Sequence, residues 1–308
     1  SKQVKCSVDY QLSRISGETS ADLTSEYFDD CEMARLLPSN SNVIVGQDSP
    51  ISAEVLVMDP QKGQVLALVS GSTGYEGQAA FAGHPPGSIL SPFIYLTSFT
   101  RGASPANLSW DIPANIPSEV ESVQSEIGQF QGPVSLRTAL ANDYLVPALQ
   151  VLTQMDPDQV WHTAGRMGLT GLHVPPGNEA YELLFQGGEV ELADLSQAYG
   201  VFANQGVLAG IPQNNSNTDD PNSPIHPQVV LEVLDDSGSI HLDCTDQITE
   251  CHSTRRPVIT QELTYLVTDV LSDETARWPS LGHPNSLEIG RPVAAKIGTT
   301  YDNQGKWT

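Results

Sequence analysis

The pattern of apolar and polar positions separates a polar N-terminal stretch from a longer and more regular part of the chain. Residues 1 to about 50 are rich in Ser, Asp, Glu and Asn and contain only short apolar clusters, which predicts a linker or a small subdomain. Two β-rich runs follow at 53–60 and 64–70, and the loop between them ends in Gly63. They predict a β-hairpin, because glycine tolerates the positive φ that such a loop often requires.

Helical spacing dominates the middle of the chain. From Ser88 onward, apolar residues recur at intervals of three and four, which predicts an α-helix. The same spacing predicts further helices at 135–153, 158–168, 189–205 and about 260–276. Strands are predicted again at 228–234 and 293–300. Strands near both ends with helices between them indicate a sheet that closes late in the chain and is covered by helices.

Charge and composition exclude several classes of function. The 308 residues include 14 Lys and Arg against 37 Asp and Glu, a formal net charge of −23. A surface of that sign repels phosphate backbones, so no nucleic-acid partner is expected. No stretch approaches the roughly 20 apolar residues that span a bilayer. The seven His show no metal-ligand spacing and no Gly-rich loop follows a strand, so neither a metal nor another cofactor is predicted.

Ser88 is the first candidate for chemistry. It follows Pro85-Pro86-Gly87 at the predicted start of a helix. Unpaired backbone amides at a helix N-terminus favour a developing negative charge, which suits a nucleophile. The same position also suits a serine that only caps the helix, so this residue alone leaves both interpretations open.

The fragments around and after Ser88 resemble the transpeptidase domain of penicillin-binding proteins, particularly the bifunctional class A type. The resemblance covers about residues 50 to 308 and depends on the order and spacing of the hairpin and several short fragments: Pro86-Gly87-Ser88, Asp111-Ile112-Pro113, 132–141 (GPVSLRTALA), 187–192 (GGEVEL), 198–206 (AYGVFANQG) and Lys296-Ile297-Gly298-Thr299-Thr300.

The resemblance implies an α/β fold of the penicillin-binding and β-lactamase-like type. A central antiparallel sheet would be packed between helices, with a helical lobe inserted from about 110 to 215 and a cleft between lobe and sheet edge. The transpeptidase-like domain would span 51–308. Family members usually continue with more strands and a terminal helix, so we expect the end of the domain to be missing here.

That family works through a Ser-x-x-Lys helix turn, a Ser-x-Asn loop and a Lys-Thr-Gly strand. In the first motif, Ser88 keeps the nucleophile position, but Ser91 replaces the lysine that acts as base. A hydroxyl cannot take that proton near neutral pH. Loss of a positioned general base typically costs about 10²- to 10⁴-fold in rate.

The other two motifs are also changed. Asp143 and Leu145 replace the Ser and Asn of the second motif, and Leu145 cannot hydrogen-bond a substrate amide. In the third motif, Ile297 removes a hydroxyl that in the family helps to hold the substrate carboxylate. The substrate-binding positions that the resemblance implies are Lys296, Gly298, Thr299 and Thr300.

These changes predict a pseudoenzyme that binds a peptidoglycan stem peptide, a β-lactam weakly, or another protein of cell-wall synthesis. The alternative is an active serine D-Ala-D-Ala transpeptidase or carboxypeptidase, with a buried Asp143 as the base for Ser88. Nothing near Asp143 in the sequence supplies the orienting partner that this pair would need. The resemblance also implies an extracytoplasmic location, in a parent protein anchored in the bacterial cell membrane.

The four cysteines generate the first testable prediction. They form two local pairs in the sequence, and an even, locally paired count is typical of an oxidising compartment, whereas four buried free thiols would suit the cytosol. We expect Cys6–Cys31 and Cys244–Cys251 disulfides. Peptide mapping by mass spectrometry without reduction should find both, and free thiols or crossed pairs would contradict the prediction.

Overall fold

A computed structural model describes residues 53–70, 82–116, 129–172, 184, 188–212, 223–244, 253–300 and 305–308. The predicted linker at 1–50 lies outside these residues. Cys6, Cys31 and Cys251 also lie outside them, so the disulfide pairing stays a prediction. Cys244 is buried.

The described part contains helices and short strands. The α-helices are α1 (Ser91–Thr100), α2 (Leu136–Ala141), α3 (Leu145–Thr153), α4 (Pro157–Arg166), α5 (Leu192–Ala203), α6 (Gln261–Ser272) and α7 (Glu274–Leu281). Two 3₁₀ turns lie at Gly87–Leu90 and Pro113–Asn115. The strands are β1 (Glu54–Asp59), β2 (Gln64–Ser70), β3 (Leu108–Asp111), β4 (Gly132–Ser135), β5 (Val207–Pro212), β6 (Ile225–His226), β7 (Glu232–Leu234), β8 (Ile240–Asp243), β9 (Thr254–Pro257), β10 (Gly298–Thr299) and β11 (Lys306–Trp307).

Helix α1 forms the centre of the hydrophobic core. Every residue from Ser91 to Phe99 is buried, and the helix packs against α3, α4 and α6. The helix therefore lies in the interior on every side, although it includes the buried hydroxyl residues Ser91, Thr97 and Ser98. The 3₁₀ turn that leads into α1 is buried as well, so Ser88 is fixed by the core of the protein.

The strands form small antiparallel sheets of two or three strands within the described residues. The predicted hairpin is confirmed, because β1 pairs with β2 and Gly63 has a φ of 66° in the loop between them. The single central sheet does not appear in the described part. The outer backbone edge of β10 contacts Ser88, so this edge is occupied by the 3₁₀ turn and does not pair with a further strand there.

The predicted strand at 293–300 is wrong for its first half. Only Gly298 and Thr299 form a strand, which pairs with β11. Further upstream, the carbonyl of Val293 accepts a hydrogen bond from Arg277, and the N–H of Ala295 donates to the carbonyl of Leu271. These backbone groups therefore bind helical residues and not a neighbouring strand.

Two predicted helices are each divided in the structure. The one at 135–153 splits into α2 and α3 around Asp143, whose φ of 59° cannot continue a right-handed helix. The one at about 260–276 splits into α6 and α7 at Asp273, whose side chain accepts a hydrogen bond from the N–H of Ala276 at 3.0 Å. Each break provides a cap or a turn that the apolar spacing does not reveal. Among the described helices, none is long and apolar enough to cross a membrane.

Gly206 generates a prediction about stability. It has a φ of 90°, and an added Cβ would lie 2.1 Å from the carbonyl oxygen of Ile259. Gly102 has a similar φ of 95°, but an added Cβ would meet nothing within 4 Å. Gly102→Ala should therefore cost only the backbone strain of about 1–2 kcal/mol, whereas Gly206→Ala should cost about 1–3 kcal/mol more because the clash is added.

Urea unfolding of the two variants measures this difference in the free energy of unfolding. Equal losses in the two variants would show that the approach to Ile259 does not constrain the fold.

Candidate active site

Ser88 lies where the 3₁₀ turn Gly87–Leu90 touches β10. Gly87 has a φ of 57°, and a Cβ at this position would lie 2.3 Å from the carbonyl oxygen of Thr299. A Cβ on Gly298 would lie 2.4 Å from the backbone nitrogen of Ile89. Only glycine permits both close approaches. The two glycines therefore bring the Ser88 turn and β10 into backbone contact.

The hydroxyl of Ser88 is engaged on two sides. The N–H of Thr299 donates to Ser88 Oγ at 2.9 Å, and Ser88 Oγ donates to Oδ2 of Asp143. Ser88 is fully buried. The serine that the sequence singled out is therefore held by a carboxylate and a backbone amide within the protein interior.

Lys296 is the second partner of Asp143. Its Nζ lies 2.5 Å from Oδ1 of Asp143 and also donates to the carbonyl of Ile297. The Lys296 side chain is 2% exposed, and that of Asp143 is 22% exposed. Removing one partner of a buried ion pair is strongly destabilising, because it leaves the other charge without compensation. The structure thus supplies the orienting partner for Asp143 that the sequence did not reveal.

Asn142 holds Asp143 in its unusual backbone conformation. The Asn142 side-chain amide donates to the carbonyls of Thr138 and Ala276 at 2.9 and 2.6 Å, and its Oδ1 accepts from the N–H of Ser280 at 2.9 Å. Asn142 is buried. These bonds tie the turn between α2 and α3 to α7, which fixes where the Asp143 carboxylate points.

Arg277 ties the chain before Lys296 to the same helix. It is the largest fully buried side chain of the described part. Its Nη1 donates to the carbonyls of Leu271 and Val293. The segment that leads into Lys296 is therefore anchored on α7, so one helix holds both charged partners of the Ser88 network.

Ser91 stands one turn after Ser88 on α1. It is 2% exposed, and its Oγ has no hydrogen-bond partner within the described residues. It thus lies in the interior on the helix that begins at the Ser88 turn, but it contributes no group that could accept a proton near neutral pH.

Tyr95, which is buried, and Tyr199, which is partly buried, can also be excluded as bases. Burial raises the pKa of Tyr95, and the charges of Asp143 and Asp111 raise it further. Burial also raises the pKa of Tyr199 well above its usual value, and the charge of Asp143 adds to this effect. Both phenols therefore stay protonated at neutral pH. Asp143 remains the basic group that directly contacts Ser88.

The remaining residues that the sequence singled out have structural contacts. Leu145 is the first residue of α3 and packs against the hydrophobic core. Thr300 Oγ1 accepts a hydrogen bond from the N–H of Gly305 at 2.8 Å, which extends the pairing of β10 with β11 by one residue on each strand. Sequence reasoning missed Asn142 and Arg277, although the known preference of Asn and Asp for the left-handed region could have marked the break at 142–143.

Comparisons with known proteins point in one direction. No family model matches the chain. Among curated proteins, penicillin-binding protein 1A of Rickettsia bellii is 23% identical over 283 residues, which cover 83% of this chain and 32% of the relative. Penicillin-binding protein 1A of Vibrio cholerae is 26% identical over 275 residues, covering 82% and 32%. Penicillin-binding protein 1C of Escherichia coli is 25% identical over 228 residues, covering 72% and 24%. The chain spans a third or less of the length of these relatives.

Solved structures share the fold. The penicillin-binding protein PonA1 from Mycobacterium tuberculosis has a TM-score of 0.58 at 19% identity, covering 82% of this chain and 63% of that one. The same protein is also known in complex with penicillin V. A peptidoglycan glycosyltransferase from Burkholderia ambifaria has a TM-score of 0.55 at 18% identity, covering 81% and 73%. The described helices and small antiparallel sheets therefore match the fold of penicillin-binding proteins.

The attachment of Asp143 to α7 generates a prediction. Asn142→Ala removes three hydrogen bonds and leaves backbone groups of Ala276 and Ser280 without this partner, so we expect a loss of about 1–3 kcal/mol in the free energy of unfolding. Asn115→Ala is the matched control, because Asn115 is only partly buried and its side chain donates one exposed hydrogen bond, to the carbonyl of Trp110.

Urea unfolding should show a clearly larger loss for Asn142→Ala than for Asn115→Ala. If the two losses are equal, the Asn142 side chain does not anchor the turn on α7.

Proposed function

The homologues of this chain are class A penicillin-binding proteins, and from this premise we propose that it is a transpeptidase-like, penicillin-binding domain of a peptidoglycan-synthesis protein. We propose further that its catalysis is impaired, and that it binds a stem peptide, a β-lactam or a partner protein of cell-wall synthesis. The proposal includes an extracytoplasmic location and the two disulfides expected from the sequence.

The proposal of impaired catalysis rests on the hydrogen bonds and the burial of the Ser88 hydroxyl. An acylating serine must release its proton and place the substrate oxygen against backbone donors. Here the N–H of Thr299, which the resemblance assigns to the oxyanion, already donates to Ser88 Oγ at 2.9 Å. Ser88 is fully buried as well. A substrate must therefore displace existing contacts before it can reach the nucleophile.

The groups around Ser88 also lack a strong base. Ser91 replaces the lysine of the family, and Lys296 is engaged with Asp143 at 2.5 Å. The ammonium occupies one oxygen of the Asp143 carboxylate, so this carboxylate serves the ion pair as well as the Ser88 hydroxyl. Without the motif lysine, the site lacks the positioned base that typically contributes about 10²- to 10⁴-fold in rate.

The proposal keeps a role for the backbone amides beside Ser88, which can bind a substrate carbonyl. The 3₁₀ turn places backbone amides near Ser88, and β10 presents the amide of Thr299 beside it. Such fixed dipoles attract a carbonyl oxygen whether or not acylation follows. Binding of a β-lactam or a peptide therefore requires fewer of the changed residues than turnover does.

A second candidate function follows from one specific contact. Ser88, Asp143 and Lys296 form a continuous chain of hydrogen bonds, in the order nucleophile, base and orienting group. In this reading, Ser88 Oγ attacks a carbonyl carbon, its proton passes to Asp143, and the same proton is returned to the leaving amine. The product is an acyl-enzyme, as in a serine transpeptidase or carboxypeptidase.

Labelling with a fluorescent penicillin tests the two functions. The impaired domain should give no stable adduct above the level of Ser88→Ala, which is the matched control for the nucleophile. The active enzyme should give an adduct on Ser88 that Asp143→Asn abolishes, because the amide cannot accept the proton. A Ser88 adduct in wild type that depends on Asp143 would contradict the impaired reading.

Restoring the family motifs gives a sharper prediction. A combined variant with Ser91→Lys, Asp143→Ser, Leu145→Asn and Ile297→Thr should acylate much faster than Ser91→Lys alone, because residues that act as a unit are strongly non-additive. The single variant leaves Lys296 tied to Asp143 and the substrate poorly held. The measurement is the second-order acylation rate with a β-lactam. A wild-type rate equal to that of the combined variant would overturn the prediction.

A further inference from the structure

The pairing of β10 with β11 places Lys306 beside the Ser88 site. Thr299 lies directly opposite Lys306 in this antiparallel pair. The adjacent pair, Thr300 and Gly305, is hydrogen-bonded, since the N–H of Thr300 donates to the carbonyl of Gly305 at 3.0 Å. Hydrogen-bonded and non-hydrogen-bonded pairs alternate along such a ladder, and the side chains of a non-hydrogen-bonded pair lie closest together. The Thr299 and Lys306 side chains are therefore near neighbours.

Both side chains lie on the outward face of this two-stranded sheet. Along the chain, Lys296, Gly298 and Thr300 are buried, whereas Ile297 and Thr299 between them are partly exposed. This alternation is the period of two that strands impose on their faces. Since directly opposite residues share a face, Lys306, which is exposed, lies on the side of Ile297 and Thr299.

Lys296, which matches the lysine of the Lys-Thr-Gly motif, is not free to bind a ligand. The ammonium of Lys296 is buried, paired with Asp143 and bonded to the carbonyl of Ile297. Within the described residues, Lys306 by contrast has neither a hydrogen bond nor an ion pair. The chain as a whole is acidic, with 37 acidic and 14 basic residues. Lys306 therefore places a positive charge beside Thr299, whose N–H contacts Ser88.

From this arrangement we propose that Lys306 binds the carboxylate of the acyl donor and so determines the specificity of the site. The ligand class is an acyl compound with a carboxylate close to its reactive carbonyl, such as a peptide C-terminus or a β-lactam acid. A lysine suits this role because its flexible stem carries a compact charge that can reach across to a ligand beside Thr299. The hydroxyl of Thr299 lies on the same face and can add a second donor.

This inference rests on the proposed function, and matched ligands separate the two. N-acetyl-D-alanyl-D-alanine and its C-terminal amide differ only in the carboxylate, and their affinities are measured by NMR titration. Wild type should bind the acid more tightly than the amide. Lys306→Ala should weaken the acid about two- to fivefold, the range for a partly exposed charge pair, and leave the amide unchanged.

Two further variants control for charge. Lys306→Arg should retain the preference for the acid. Lys62→Ala removes the same charge from the β1–β2 turn, where Lys62 is exposed, and should change neither affinity. Added salt should weaken binding of the acid only.

Three results would overturn the inference: equal affinities for acid and amide in wild type, equal losses for Lys62→Ala and Lys306→Ala, or parallel losses of both ligands in Lys306→Ala. If both ligands bind without a role for Lys306, the proposed function stands and only this inference is lost. If neither ligand binds and no penicillin label forms, the proposed function fails and the inference fails with it.

Discussion

The carboxylate of Asp143 is the group on which the rest of the site depends. One of its oxygens accepts the Ser88 hydroxyl and the other pairs with Lys296 at 2.5 Å. Three segments that are far apart in the chain, the turn before α1, the turn between α2 and α3 and the chain before β10, are joined through this one group. A buried pair of this kind costs desolvation, and it holds only where further hydrogen bonds fix its geometry.

Helix α7 supplies that geometry. Asn142 binds it from the side of Asp143, and Arg277 reaches from it to the segment before Lys296. Helix α7 therefore positions both charges, and neither can shift without disturbing buried hydrogen bonds. Because a packed core has discrete arrangements, such a network is rigid. This rigidity explains how a residue with a φ of 59° is tolerated next to the nucleophile position.

Two positions differ in charge from the motifs that the sequence resembles. Ser91 is neutral and Asp143 carries a carboxylate, which pairs with Lys296, so the pair is formally neutral. A neutral network stabilises the interior but attracts anions weakly. Lys306, exposed opposite Thr299, returns a positive charge to the outer face. In this account, Lys296 stabilises the interior and Lys306 attracts the ligand.

Features that depend on local spacing could be predicted from the amino-acid sequence. The β1–β2 hairpin, helix α1 and the position of Ser88 at its start follow from alternation, from intervals of three and four, and from glycine. The break at Asp143 and the contact of Lys296 with Asp143 arise from tertiary hydrogen bonds between residues more than 100 positions apart, such as the 153 that separate Asp143 from Lys296. The loss of the strand before Gly298 arises from hydrogen bonds of that segment to Leu271 and Arg277 on neighbouring helices. Local propensity carries no information about such partners, because a buried polar group takes whichever partner the fold brings to it.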